Sequence, residues 1–122
     1  YALGYFYTGL MTQDDDLLGA LPAIGNLTGD RVWPLPLDDD FKPANNSQVA
    51  DVSNSGSNEY KAGTIIGACF LQEFVKSAKW AHLDIAGTAD GVPGVSYLGK
   101  GSTGAGIRLL TEFIMNYHLY IK

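Results

Sequence analysis

His82 and Asp84 stand two residues apart in the stretch Trp80–Asp90. On a strand that spacing places both side chains on one face. A histidine beside a carboxylate is the arrangement of a general base and the group that orients it. Such a pair needs a nucleophile or a metal to act on. The single cysteine, Cys69, lies in an apolar segment of helical spacing and reads as a packing residue. The serines fall in loops without the strand-to-helix elbow that exposes a nucleophilic serine. One histidine and scattered acids fall short of a metal-ligand set. The residues alone therefore name no catalytic group and no metal ligand, and His82 and Asp84 read as satisfied buried polar residues.

Two acidic triplets, Asp14–Asp16 and Asp38–Asp40, invite a metal-loop reading. Each stands immediately before an element start, and no glycine sits where a calcium loop needs one. Both read better as helix caps, where carboxylates accept free N–H groups and favour the dipole. The glycine-rich run Gly99–Gly106 suggests a phosphate loop, but Lys100 precedes the glycines instead of closing them. Gly101, Gly104 and Gly106 are also mis-spaced for a dinucleotide fingerprint. A tight loop bringing a helix end close to a strand is the plainer reading. An anion on that helix N-terminus is the alternative.

The elements that must position these residues follow from periodicity. Tyr1–Thr12 is aromatic-rich and reads as one or two short buried strands joined at a glycine. Leu17, Leu21 and Ile24 recur at helical spacing; Pro22 must kink that helix or free one carbonyl, and Gly29 ends it. Asp30–Leu37 is extended, and its alternating prolines disfavour a central strand. Pro43 suits an early helical position, and 44–52 is weakly helical at best. Ser53–Tyr60 is a polar loop. Ala62–Lys76 is apolar over most of its circumference, which predicts a helix buried between layers. Trp80–Ile85 reads as the central strand, ending in the small residues Ala86–Ala89. In open α/β sheets the carboxyl end of a central strand is where ligands bind. Ile107, Leu110, Ile114, Tyr117 and Ile121 predict a last amphipathic helix with that stripe facing the core. The fold class is α/β, a portion of a mixed, mostly parallel sheet with helices on both faces.

The 122 residues suffice for one modest domain. At 46% hydrophobic and 17% charged, a core is expected and disorder is not. A net charge of −5, with lysines and arginines scattered, argues against a nucleic-acid surface. No apolar run approaches the ~20 residues of a membrane span. One cysteine allows no internal disulfide, and an intracellular, cytoplasmic protein is expected. A chain opening on Tyr1 inside an apolar stretch, without a polar lead-in, reads as part of a longer protein.

Several ordered blocks then carry a resemblance. Trp80-Ala81-His82-Leu83-Asp84-Ile85-Ala86-Gly87 resembles the signature of the cytosolic leucyl aminopeptidases, a family of two-metal exopeptidases. Thr28–Trp33 with Leu35–Leu37 is similar to their "TGDRxWxLPL" block, and Ala50–Asn54 to their "ADxxN" turn. Lys100–Gly104, followed by Arg108, Leu110 and Phe113, is similar to their "KGxTG" block, and Tyr7–Met11 also matches. The blocks span almost the whole chain. Pro22 and the loop Gly91–Leu98 depart from the family pattern.

The resemblance implies that 1–122 is the C-terminal segment of an aminopeptidase catalytic domain. It implies a peptide substrate with a Leu-like first residue, and two divalent ions, manganese or zinc, that activate a bridging water, with bicarbonate assisting. The family's ligands, an "NTDAEGR" motif with the catalytic arginine, and the catalytic lysine lie upstream of the position matching Tyr1. By position in the motifs, Ser55, Ala86 and Ala89 match substrate-binding residues that line the pocket for the first side chain. The partners implied are the remainder of the catalytic domain and further copies in a homohexamer, with no nucleic acid and no membrane. Residues 1–122 expressed alone are expected to be insoluble or molten, which a sharp cooperative melt of a monodisperse monomer would contradict. The other readings are a catalytically dead homologue acting as a structural subunit, and an anion-binding α/β module using Gly101–Gly106.

Overall fold

The computed structural model describes residues 2–57 and 59–122; Tyr1 and Asn58, with the strand and loop readings that reach them, lie outside the described residues. The order is β1 (Thr8–Thr12), α1 (Asp15–Thr28), β2 (Val32–Pro34), a 3-10 helix (Asp39–Asn45), α2 (Gly63–Gln72), β3 (Ala81–Asp84), α3 (Ile107–Met115) and α4 (Tyr117–Tyr120). The three strands form one mixed sheet in the order β2-β1-β3. β1 runs parallel to β2, with Thr8 opposite Val32, and antiparallel to β3, with Gly9 opposite Asp84 and Thr12 opposite Ala81.

β1 is therefore the central strand, and all five of its residues are buried. Its alternation builds two cores. Leu10 meets Leu17, Leu21 and Ile24 of α1, Val32, and Leu109 of α3. Met11, one residue on, joins Leu37, Ala68 and Cys69 on the opposite face. Helices thus cover both faces of the mixed sheet, as expected.

The expectation for Trp80–Ile85 changes accordingly. β3 is an edge strand among the described residues, and it runs antiparallel to β1. Its carboxyl end lies beside the amino end of β1, so the parallel-sheet argument for a crevice at Ala86–Ala89 does not apply. The early strand reading also shortens. Residues 2–6 are turn and bend, Tyr5 and Phe6 are about half exposed, and pairing starts at Thr8. Among the described residues the aromatic run has no partner strand before that point, and composition alone does not supply one.

α1 matches its local signals. The Asp14 carboxylate accepts from Leu17 N–H at 2.9 Å, and Gly29 closes the helix in the left-handed region at φ 80°. Pro22 sits inside the continuous helix. Having no N–H, it leaves the Leu18 carbonyl without its helical donor, on a side chain 39% exposed where water can serve. Pro22→Ala is expected to stabilise the protein by about 1–2 kcal/mol, the helix gain being partly offset by a freer unfolded chain; urea unfolding of the full-length protein measures it. The second triplet also caps: the Asp38 carboxylate accepts from Asp40 N–H at 3.0 Å.

Asp14 has a second partner, the Lys79 ammonium at 2.7 Å, and Asp16 lies 3.4 Å from the same group. The Lys79 hydrogen bond, with Leu17 N–H, holds the Asp14 carboxyl below its ordinary value. A carboxyl depressed by folding stabilises fully above its unfolded value and loses that contribution as pH falls through the folded one. Asp14→Asn is therefore expected to flatten the fall of melting temperature in acid, below the ordinary carboxylate range. An unchanged acid slope would show that the cap and ion pair carry no linkage.

Two helices are less covered than their patterns predict. α2 buries Ile66, Ala68 and Cys69, but Leu71 is 43% exposed and Phe74, just beyond the helix, 64%. Its outer side is uncovered among the described residues, where the apolar circumference predicted burial on both sides. In α3 the buried residue is Leu109, while Ile107, Ile114 and Tyr117 of the predicted core stripe stand exposed. Hydrogen bonds described below fix the rotation of α3 in this sense.

Candidate functional site

The chain leaves β3 at Asp84 and folds at once into a turn. Its carboxylate accepts from Ala86 N–H at 3.0 Å. Ile85 O then accepts from Thr88 N–H at 3.1 Å and Ala89 N–H at 2.9 Å. Burial pushes the Asp84 carboxyl up, yet it lies below its ordinary value, lowered by the bond from Ala86 N–H and by the nearby Thr64 hydroxyl among other contributions. Asp84 is an anionic staple for this turn. His82, on the same face, stacks on Trp80 with centroids 6.3 Å apart. Burial lowers its pKa against the opposing pull of Asp84, which favours the neutral ring. Asp84 thus has its partner in the turn, and His82 packs on Trp80.

Threonines pin the far side of the turn. Thr8 Oγ1, on β1, lies 2.8 Å from Thr88 Oγ1. Thr103 donates its hydroxyl to Thr88 O and its N–H to Ala89 O, the latter at 2.9 Å. Asp90 bridges to Ser102, and Gly91 N–H donates to Gly101 O at 3.1 Å. The glycine-rich run is thereby laid along the turn as a second strand-like segment. Gly101, Gly104 and Gly106 take positive φ along this run, a conformation that glycine admits without strain.

The same run leads to α3, whose first amides are satisfied from the other end of the chain. Asp30, 8% exposed, accepts from Gly106 N–H at 2.8 Å and Leu109 N–H at 3.3 Å. Arg108 Nε donates to Thr28 O at 3.0 Å. These contacts turn Leu109 inward against α1 and leave the Ile107–Ile114 side out. They also fill the place where an external anion would bind, which removes the support for an anion-binding module at Gly101–Gly106. Asp30 is the important residue that pattern reasoning missed. The Thr28-Gly29-Asp30 block was visible, but nothing local says its carboxylate caps a helix 76 residues away.

Two recesses flank the turn. One of about 60 Å³ is lined by Thr8, Asp30, Arg31, Thr88, Thr103 and Arg108, among others. Its arginines are engaged within the chain: Arg31 lies 4.5 Å over the Tyr7 ring, and Arg108 holds Thr28 O. The other, about 10 Å³, lies between Gly9, Thr64, Asp84 and Gly87. Ser55, Ala86 and Ala89 line neither of the two. Ala86 and Ala89 share the turn, Ala86 exposed and Ala89 half-buried. Ser55 is exposed on a separate loop, its hydroxyl donating to Asn54 Oδ1 at 3.3 Å. No three of His, Cys, Asp or Glu cluster among the described residues in a way that could hold a metal ion.

Comparison with known proteins decides what the turn belongs to. A family model described as the cytosol aminopeptidase family, catalytic domain, matches residues 1–111. The chain belongs to the cytosol aminopeptidase family. It is 48% identical over 115 residues to a probable cytosol aminopeptidase of Alcanivorax borkumensis, covering 94% of this chain and 22% of that protein. It is 47% identical to one of Geobacter sulfurreducens, with 93% and 22% covered, and 41% identical to one of Ehrlichia ruminantium, with 92% and 22% covered. The chain spans about a fifth of the length of these aminopeptidases. In this member of the family, Thr28–Asp30, the threonines and the glycine-rich run form one hydrogen-bonded scaffold behind the Ala86–Ala89 turn. No helix is long and apolar enough to cross a membrane among the described residues.

Proposed function

We propose that this chain is the C-terminal segment of the catalytic domain of a metal-dependent cytoplasmic aminopeptidase that removes Leu-like N-terminal residues from peptides. The observation that carries the reading is the family match over nearly the whole chain, joined to a turn of small residues whose backbone is fixed on both sides. Two divalent ions, manganese or zinc, with bicarbonate, would be held by residues outside this chain, so no chemical step is assigned to its side chains. Ser55, Ala86 and Ala89 line the pocket for the first side chain. A small residue on a rigid turn leaves a defined volume for a leucine or methionine side chain. Asp84, the threonines and Asp30 hold that wall still, so substrate binding loses little to ordering it. The bare sides of α2 and α3 are covered by the remainder of the catalytic domain and by further copies in a homohexamer.

The test is hydrolysis of leucine amide by the full-length protein with added manganese. Turnover that disappears on chelation and returns with metal is expected. A full-length protein that folds, takes up manganese and still leaves leucine amide intact would sink the enzymatic reading.

A further inference from the structure

Asn45 ends the 3-10 helix and is 3% exposed. Its Nδ2 donates to Ile66 O of α2 at 3.2 Å, and its backbone carbonyl accepts from Ser53 N–H at 2.6 Å. Its Oδ1 is buried and has no hydrogen-bond partner among the described residues. An unpaired buried acceptor is destabilising, and a leucine of similar size would carry no such cost. Stability alone therefore does not account for an amide here.

The loop after Asn45 is held a second time. Gly56 takes φ +65°, a conformation that disfavours side chains, and a Cβ there would collide with Ile66 Cγ2. Ile66 is 4% exposed and β-branched, so it has little room to give. Ser55 thus lies between two anchors, Ser53 and Gly56, that both lead to Ile66. Two residues before Ile66, Thr64 lines the small recess beside Asp84, whose carboxylate staples Ala86. One turn of α2 thus lies beside both loops that carry the proposed pocket residues.

We propose that Asn45 is a positioning residue for specificity: by tying the 53–56 segment to α2, it sets the distance between Ser55 and the Ala86 turn. That distance fixes how large a first side chain the site accepts. The inference rests on the pocket reading given under Proposed function. It predicts a change in discrimination, not in turnover.

The test uses the full-length protein and amides of alanine, leucine and phenylalanine. Asn45→Leu is expected to keep kcat on the alanine substrate within about twofold, while the leucine-to-alanine ratio of kcat/KM shifts about fivefold or more through KM. Gly56→Ala, in a loop and outside the cores, is expected to move the ratio in the same sense, and decides the matter should Asn45→Leu not fold. Amide exchange at Ser53 is expected to speed up about tenfold in Asn45→Leu. A ratio unchanged in both variants, or a uniform loss on all three substrates, overturns the proposal. Ser55→Leu separates the two readings. If it shifts the ratio and Asn45→Leu and Gly56→Ala do not, the positioning role alone is wrong. If Ser55→Leu changes nothing, the pocket reading fails and takes this one with it.

Discussion

Asp30→Ala is expected to destabilise the full-length protein by about 3 kcal/mol, the largest stability effect of a polar substitution in this chain. The carboxylate accepts from Gly106 and Leu109 N–H, two of the amides that a helix leaves without internal partners. Losing an ordinary capping side chain costs about 0.5–2 kcal/mol. Here the acceptor is charged and buried at 8% exposure, and its removal strands two donors where water enters poorly. The helix dipole adds in the same direction. Asp30→Asn should fall between, since it keeps an acceptor oxygen but loses the charge. Denaturant unfolding of the three proteins checks the order. A loss under about 1 kcal/mol for Asp30→Ala would mean that α3 is held by Leu109 packing alone.

This contact also explains where the sequence could be read and where it could not. Both ends of α1 were legible because their determinants are local: Asp14 caps three residues into the helix and Gly29 sits at its end. The edge position of Val32–Pro34 among the described residues was legible for the same reason, since prolines remove ladder donors wherever they stand. α3 was not. Its sequence offers two apolar sides, one with Ile107, Leu110 and Ile114, the other with Leu109 and Phe113. Periodicity favours the longer stripe. The choice is made by Asp30 and Thr28, whose bonds to Gly106, Leu109 and Arg108 hold the helix with Leu109 inward. The central strand was misread similarly. His82 and Asp84 drew attention to β3, but centrality is a matter of how many neighbours pair, and β1 has two. At the site, the small-residue turn was visible as composition. The threonine pins that make it rigid were not, because Thr8, Thr88 and Thr103 are each unremarkable in their own segments.

Ala86→Trp is expected to cut kcat/KM for leucine substrates about 100-fold in the full-length enzyme while leaving its melting temperature nearly unchanged. The two halves of this result follow from different links of the chain of argument. Ala86 is exposed on its turn, so an indole there displaces no core atom. Its N–H stays bound to Asp84 and the turn keeps its shape. If the turn walls the pocket, the indole occupies volume that a leucine side chain needs. Even one methylene of lost fit is worth about 1–3 kcal/mol in discrimination, or about 10–200-fold. Glycine and alanine substrates, which do not reach the wall, should lose less than about threefold. Ala89→Leu, at a half-buried position whose carbonyl is held by Thr103 N–H, should give a smaller and similarly size-dependent loss. The decisive observable is the dependence on substrate size. Equal losses on glycine and leucine substrates would mean that the indole disturbs the reacting centre or the assembly, and that the Ala86–Ala89 turn does not face the first side chain at all.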